Sequence, residues 1–202
     1  MQNKLLIATT NPGKIREIKS LLSSLPAVLL TLKDISFHQK IEEDGSSYLE
    51  NALKKGITYA QQSGLITLAD DSGLEVSVLN GKPGIQSARF SPKPNASDAD
   101  RRAYLLDLLK DYPQPWEARF VCTVVICLPD NRHYAYEGTC AGQIIAEERG
   151  HNGFGYDPIF LLPGLNLTMA ELTMEQKNQF SHRAHAIQSA LPYLTILLGK
   201  KS

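Results

Sequence analysis

The chain has 202 residues, enough to bury a full core in one large or two small domains, and a single domain of two lobes is expected. Lysine plus arginine equals aspartate plus glutamate at 21 each, so no overall field draws the protein to nucleic acid or an anionic membrane, and any phosphate binding must be local. The N-terminal apolar run Leu5-Leu6-Ile7-Ala8 is too short for a signal-peptide core, and no stretch approaches the length of a membrane span, so a cytoplasmic protein is expected. Cys122, Cys127 and Cys140 are odd in number and lack C-x-x-C spacing, which suits reduced, buried thiols.

Lys4 to Ala8 reads as a first strand. Asn11-Pro12-Gly13-Lys14 then opens a helix, because Asn is a favoured N-cap and Pro a favoured first helical residue. Ile15, Ile18, Leu22 and Leu25 recur along one face of that helix. Ala27 to Leu32 is a second strand. Ser47-Tyr48-Leu49-Glu50 matches a capping box, and the stripe Leu49, Ala52, Leu53, Gly56, Ile57, Ala60 runs from it to a stop at Gly64. A strand over Leu65–Ala69 follows, then alternating Leu74, Val76 and Val78 and a turn at Asn80-Gly81. Ser97 caps a third helix carrying Tyr104, Leu105, Leu108 and Leu109. Arg119–Leu128, His133–Glu137 and Gln143–Ala146 read as three strands of an antiparallel meander. From Glu175 the chain reads helical, interrupted at Pro192. Strands and helices alternate early and strands cluster late, so the fold class is α/β or α+β with a mixed sheet.

Asp70 and Asp71 end an apolar strand and are followed by Ser72-Gly73. This reads either as an Asp/Ser/Gly turn between strands or as a strand delivering two carboxylates to its exposed tip, a negative charge that a cation relieves. The turn Thr9-Thr10-Asn11-Pro12-Gly13-Lys14 is either an ordinary capped helix start or a phosphate site, with backbone N–H groups and the helix dipole behind it. It is not a P-loop, since Ala8 and Ile15 occupy the positions that motif gives to Gly and Ser/Thr. Gly150 to Pro158 packs three glycines and two aromatics into nine residues, either a strand-end loop or a place where a planar base stacks. Lys55, Lys177, His182 and Arg183 are unremarkable singly. Together these elements describe a nucleotide polyphosphate site.

Thr-Thr-Asn-Pro-Gly-Lys from Thr9, Leu-Glu-Asn-Ala around Asn51, Ala-Asp-Asp-Ser-Gly-Leu from Ala69 and Pro-Gly-Ile-Gln-Ser-Ala-Arg-Phe from Pro83 appear in order. Gly-Phe-Gly-Tyr-Asp-Pro-Ile-Phe from Gly153, Ala-Glu-Leu-Thr from Ala170 and Lys-x-x-x-x-Ser-His-Arg from Lys177 complete the series. In these motifs the chain resembles the inosine/xanthosine triphosphate pyrophosphatase family, from about residue 4 to 198. The resemblance implies an elongated mixed sheet with flanking helices, two lobes around a central cleft, Mg2+ dependence, a homodimer, and hydrolysis of dITP, ITP and XTP to monophosphate and pyrophosphate. It also implies roles by position. Thr9, Thr10, Asn11, Pro12, Gly13 and Lys14 match the triphosphate turn, and Glu43 and Asp71 match metal ligands, Asp71 being also the proton acceptor, with Asp70 in support. Lys55, Ser72, Phe154, Gly155, Tyr156, Asp157, Lys177, His182 and Arg183 match substrate contacts. Thr10 stands where some members have glycine, and Pro192 enters the last helix.

On that basis Phe154 is expected to stack on the purine while Arg183, with His182 nearby, donates to its six-oxo oxygen; adenine presents a donor there instead. Two alternatives compete. One is a pyrophosphatase of different base preference, and the other a nucleotide-sensing or single-strand-binding module without turnover, against which the balanced charge argues.

Overall fold

The computed structural model describes residues 3–35, 37 and 41–199. Strand β1 (Asn3–Ile7) leads into helix α1 (Pro12–Leu21), with Asn11 as N-cap and Pro12 as the first helical residue. Leu25 falls beyond the end of α1 but stays in the core to which Ile18 and Leu22 belong. Strand β2 (Ala27–Thr31) follows. Helix α2 (Tyr48–Ser63) starts where the Ser47 hydroxyl accepts the Glu50 N–H at 3.1 Å and ends at Gly64, φ 66°. The Glu50 carboxylate takes the N–H and hydroxyl of Ser46, one residue earlier than a closed capping box requires.

Strand β3 (Ile66–Val76) is longer than its pattern suggested, because it runs without interruption through Asp70-Asp71-Ser72-Gly73. Helix α3 (Asp98–Leu109) carries a complete capping box between Ser97 and Asp100. Strand β4 (Trp116–Cys127) precedes β5 (His133–Ile144), a single strand where two were expected. Short strands β6 (Phe160–Leu162) and β7 (Leu167–Thr168) come before helices α4 (Met174–Phe180) and α5 (His182–Gly199). The break in the C-terminal helical region falls at Ser181, whose extended conformation (φ −74°, ψ 148°) is that of an N-cap residue. Pro192 is accommodated inside α5.

Among the described residues the strands form one mixed sheet in the order β2-β1-β3-β4-β5-β6-β7. β1 pairs in parallel with β2 and β3, and β6 pairs antiparallel with β5 and β7. The chain divides into two compact units, one of residues 1–71, 122–138 and 182–202, the other of residues 72–121 and 139–181.

In the first unit the pleat sorts side chains to two helical layers. Leu5, Ile7, Leu68, Val124 and Ile126 pack with Ile18 and Leu22 of α1 and with Ala186, Ile187, Ala190 and Leu194 of α5. Leu6, Ala8, Ala69, Val125 and Cys127 pack with Ala52, Tyr59 and Ala60 of α2 on the other side. Strands covered on both faces are the form parallel sheets require, and they explain the nearly unbroken apolar runs of the sequence. In the second unit Leu74, Val76, Trp116, Ala118 and Phe120 join Leu105 and Leu109 of α3 and Tyr156, Phe160 and Met169. The three cysteines are free and buried, as expected.

Candidate active site

The two aspartates do not share a strand tip. β3 continues past them, and they are 0% and 6% exposed. Neighbours on a strand point to opposite faces, so Asp70 projects with Leu68 toward the layer of α1 and α5, and Asp71 with Ala69 toward α2. The local negative charge expected from two adjacent carboxylates is thereby divided between two environments.

On the α1/α5 face, Arg183 of the first turn of α5 donates from both Nε and Nη2 to Asp70 Oδ2 at 3.1 Å, and Lys14 Nζ lies 3.0 Å from the same oxygen. The Nη1 of Arg183 pairs with Glu17 of α1. Burial alone would raise the Asp70 pKa, but the positive charges of Lys14, Arg183 and Lys55 outweigh it and hold the carboxyl well below the ordinary range. Cys122 Sγ approaches Asp70 Oδ2 at 3.9 Å, and burial pushes that thiol up to about 12, so it is a neutral neighbour rather than a nucleophile. Arg183 is 1% exposed with its guanidinium held by two carboxylates. In this network it anchors Asp70, whose Oδ2 also meets Lys14. His182, beside it, is buried at the start of α5.

On the α2 face, Asn51 Nδ2 donates to Asp71 Oδ2 at 3.0 Å. Lys55, one turn further along α2, pairs with Glu43 and donates to the Asp70 carbonyl at 2.6 Å. Burial raises the Asp71 pKa and the charge of Glu43 adds to the rise, while Lys55 and Lys14 offset it only in part. For Lys55 the balance runs the other way. Burial works against its charge, but Asp70, Glu43 and Asp71 together raise its pKa, so it remains an ammonium.

The turn at residues 9–14 is a capped helix start. Pro12 has no N–H, and the Asn11 side chain accepts from Gly13 N at 2.8 Å and Lys14 N at 3.2 Å. The Ile15 N–H bonds the Asn11 carbonyl at 3.0 Å. The Gly13 and Lys14 N–H groups thus meet the Asn11 cap, while Thr9, the exposed Thr10 and the Lys14 ammonium add hydroxyls and a cation to the same turn.

In the second unit, the Gly150–Asp157 loop is organised around a buried carboxylate. Asp157 Oδ2 accepts the Phe154 N–H at 2.8 Å and pairs with Lys177 Nζ at 2.6 Å, and that ammonium stands 5.2 Å from the Phe154 ring centroid. Gly153 takes φ 75°, and a Cβ there would come within 2.0 Å of Asp157 Oδ2, so only glycine permits this turn. The Gly155 peptide is clamped at both ends by the first turns of α3: its N–H reaches Asp98 Oδ2 and its carbonyl accepts from Arg102 Nη1, each at 2.8 Å. Tyr156, expected among the substrate contacts, is turned into the core, with its hydroxyl donating to the Ser87 carbonyl at 3.0 Å. Phe154 is half-buried, and Ser72 is half-buried in β3.

Sequence reasoning gave no role to Glu17 and Asn51. Glu17 has a visible signal, an acid within the otherwise buried face of α1 that includes Gly13 and Ile18. Asn51 lies inside a quoted motif, yet only the folded chain brings it to Asp71.

Glu43 and Asp71 come from separate segments, and burial raises the Asp71 pKa with the Glu43 charge adding to it. Among the described residues no group of three or more His, Cys, Asp or Glu side chains could form a metal cage. Two hard carboxylates nevertheless suit Mg2+, which keeps several waters and takes further oxygens from phosphates. Asp70 Oδ1, buried without a hydrogen-bond partner, is a spare oxygen on the adjoining residue.

The Ham1 family model matches residues 5–193. The chain belongs to the Ham1 family. That match extends from β1 into α5 and takes in residues of both units. The chain is 46% identical over 185 residues to the dITP/XTP pyrophosphatase of Geobacter sulfurreducens, covering 91% of this chain and 92% of that one. It superposes on the Staphylococcus aureus Ham1 protein with TM-score 0.82 at 39% identity, covering 98% of this chain and 100% of that one. A Coxiella burnetii HAM1 protein gives TM-score 0.85 at 36% identity, covering 98% and 100%.

Proposed function

We propose that this member of the Ham1 family hydrolyses non-standard purine nucleoside triphosphates, dITP, ITP and XTP, to the monophosphate and pyrophosphate. The observation that carries the proposal is that Lys55 of α2 pairs with Glu43 and donates to the Asp70 carbonyl beside Asp71, while Lys14 is held by the Asp70 carboxylate. The names of its relatives, dITP/XTP pyrophosphatases, supply the substrate class.

Glu43 and Asp71 would hold Mg2+, which when bound neutralises charge on phosphate oxygens. Asp71 takes the proton of the attacking water jointly with the acidic cluster around it, since a carboxylate that also holds a cation is a weaker base than a free one. Lys14 and Lys55 are fixed ammonium groups that oppose the charge developing on the departing pyrophosphate. Thr9 and Thr10 offer hydroxyls to the phosphate chain. Phe154 offers a stacking face whose backbone is fixed by Asp157, and Lys177 stabilises that arrangement from within. Arg183, with His182 nearby, donates to the six-oxo oxygen of the base, where adenine would present a donor instead.

Residues 1–202 work as one catalytic domain, acting as a cytoplasmic homodimer without nucleic acid or membrane; no described helix is long and apolar enough to cross a membrane. A nucleotide panel in Mg2+, scoring pyrophosphate against orthophosphate, tests the proposal. Pyrophosphate from dITP, ITP or XTP with little from ATP is expected, and orthophosphate release or equal efficiency on ATP and ITP overturns it.

A further inference from the structure

Asn51 is 1% exposed and uses both ends of its side-chain amide across segments that are far apart in function. Oδ1 accepts the Gly45 N–H at 2.8 Å, and Nδ2 donates to Asp71 Oδ2 at 3.0 Å. Gly45 closes the stretch 41–45, which has no regular secondary structure and carries Glu43. Its approach is so close that a Cβ on residue 45 would stand 2.8 Å from Asn51 Oδ1 and from Glu50 Cβ. We propose that Asn51 is a positioning residue that ties the Glu43-bearing segment to Asp71, so that the two carboxylates are presented together to a divalent cation.

The proposal rests on the assignment of Glu43 and Asp71 as cation ligands made above. Holding an irregular segment in place opposes the backbone entropy of every residue it fixes. The exposed Asp44–Lys54 pair contributes little to that, because solvent screens it. A buried amide does better, and no other side chain of this size offers an acceptor to an N–H and a donor to a carboxylate at once. Asp at position 51 would keep the acceptor for Gly45 but set a second carboxylate against Asp71. Ala would remove both contacts.

Those two variants separate the halves of the role. In Asn51→Asp, the Gly45 amide is expected to exchange as slowly as in the wild type by NMR while kcat for the preferred nucleotide falls about 10- to 100-fold, the scale of a lost hydrogen bond to a charged group. In Asn51→Ala, Gly45 exchange is expected to accelerate at least about tenfold and Mg2+ alone, titrated by NMR without nucleotide, to bind about tenfold more weakly. Wild-type turnover by Asn51→Asp overturns the proposal, as does unchanged Gly45 exchange or Mg2+ binding in Asn51→Ala. A wild-type chain that binds Mg2+ but releases no pyrophosphate refutes the proposed activity and leaves the exchange and titration results to decide the role of Asn51.

Discussion

On one face of β3, Asp70 is enclosed with Arg183, Lys14 and Glu17; on the other, Asp71 shares its surroundings with Glu43, Lys55 and the amide of Asn51. The first carboxylate has two cations against one of its oxygens, Oδ2, and is held in its ionised form. The second is nearly as buried, and there burial outweighs Lys55 and Lys14, with Glu43 adding a like charge, so its proton is held more tightly. Two residues adjacent in the chain therefore differ because the pleat sends them to different partners. A carboxylate matched by cations acts as an anchor, and one left partly uncompensated by burial and a like charge is available for chemistry.

Asp71→Asn should give the largest effect. Turnover is expected to fall about 10^3-fold or more, with nucleotide binding retained in equilibrium dialysis; near-normal turnover would remove Asp71 from the mechanism and erase the contrast between the faces. Arg183→Ala tests the opposite face, since it takes from Asp70 and Glu17 the cation they share in the interior. Loss of about 3–5 kcal/mol of stability in urea unfolding is expected. A fully stable Arg183→Ala protein would mean that the buried network is not an anchor.

Acidification should separate the same two residues. The depressed pKa of Asp70 contributes stability that is fully present above its unfolded value and is lost as the pH falls through that value toward the lower folded one. The raised pKa of Asp71 has the opposite sign. Its folded carboxyl keeps a proton above the unfolded value, so across that interval rising pH draws stability away while producing the ionised form. In metal-free protein, carbon-detected NMR should find Asp71 titrating above the ordinary carboxylate range, with Asp70 still ionised and the fold intact by circular dichroism. Titration of Asp70 first would reverse the assignment.

Smaller effects are expected away from both faces. Phe154→Ala should raise KM about tenfold or more, the scale of one lost base stack, with little change in kcat. Lys54→Ala removes an exposed pair with Asp44 and should alter the unfolding free energy by no more than about 0.5 kcal/mol. A large loss from Lys54→Ala would assign to Lys54 the holding of residues 41–45 that is proposed for Asn51.

Local chemistry was legible where a few neighbouring residues decide the outcome. The Asn11-Pro12 start, the Ser47 cap, the Gly64 stop and the Ser97 capping box all formed, because each depends on side chains within one turn of the backbone they satisfy. Sequence also brought out the motifs of the family and the acids and lysines from which the site is made. It misjudged β3 because Asp, Ser and Gly disfavour strands by propensity, whereas ion pairs and an amide from α1, α2 and α5 satisfy the aspartates within the sheet. The partners of the Gly13 and Lys14 N–H groups and of the Arg183 guanidinium were not visible in sequence: in the fold they meet Asn11 in one case and Glu17 and Asp70 in the other. What the residues determined alone was which chemical groups the protein has and where its helices begin and end. Which charge meets which was decided by tertiary structure, since Arg183 lies 113 residues from Asp70 and 166 from Glu17 along the chain, and only packing on a pleated strand settles the face on which such groups meet.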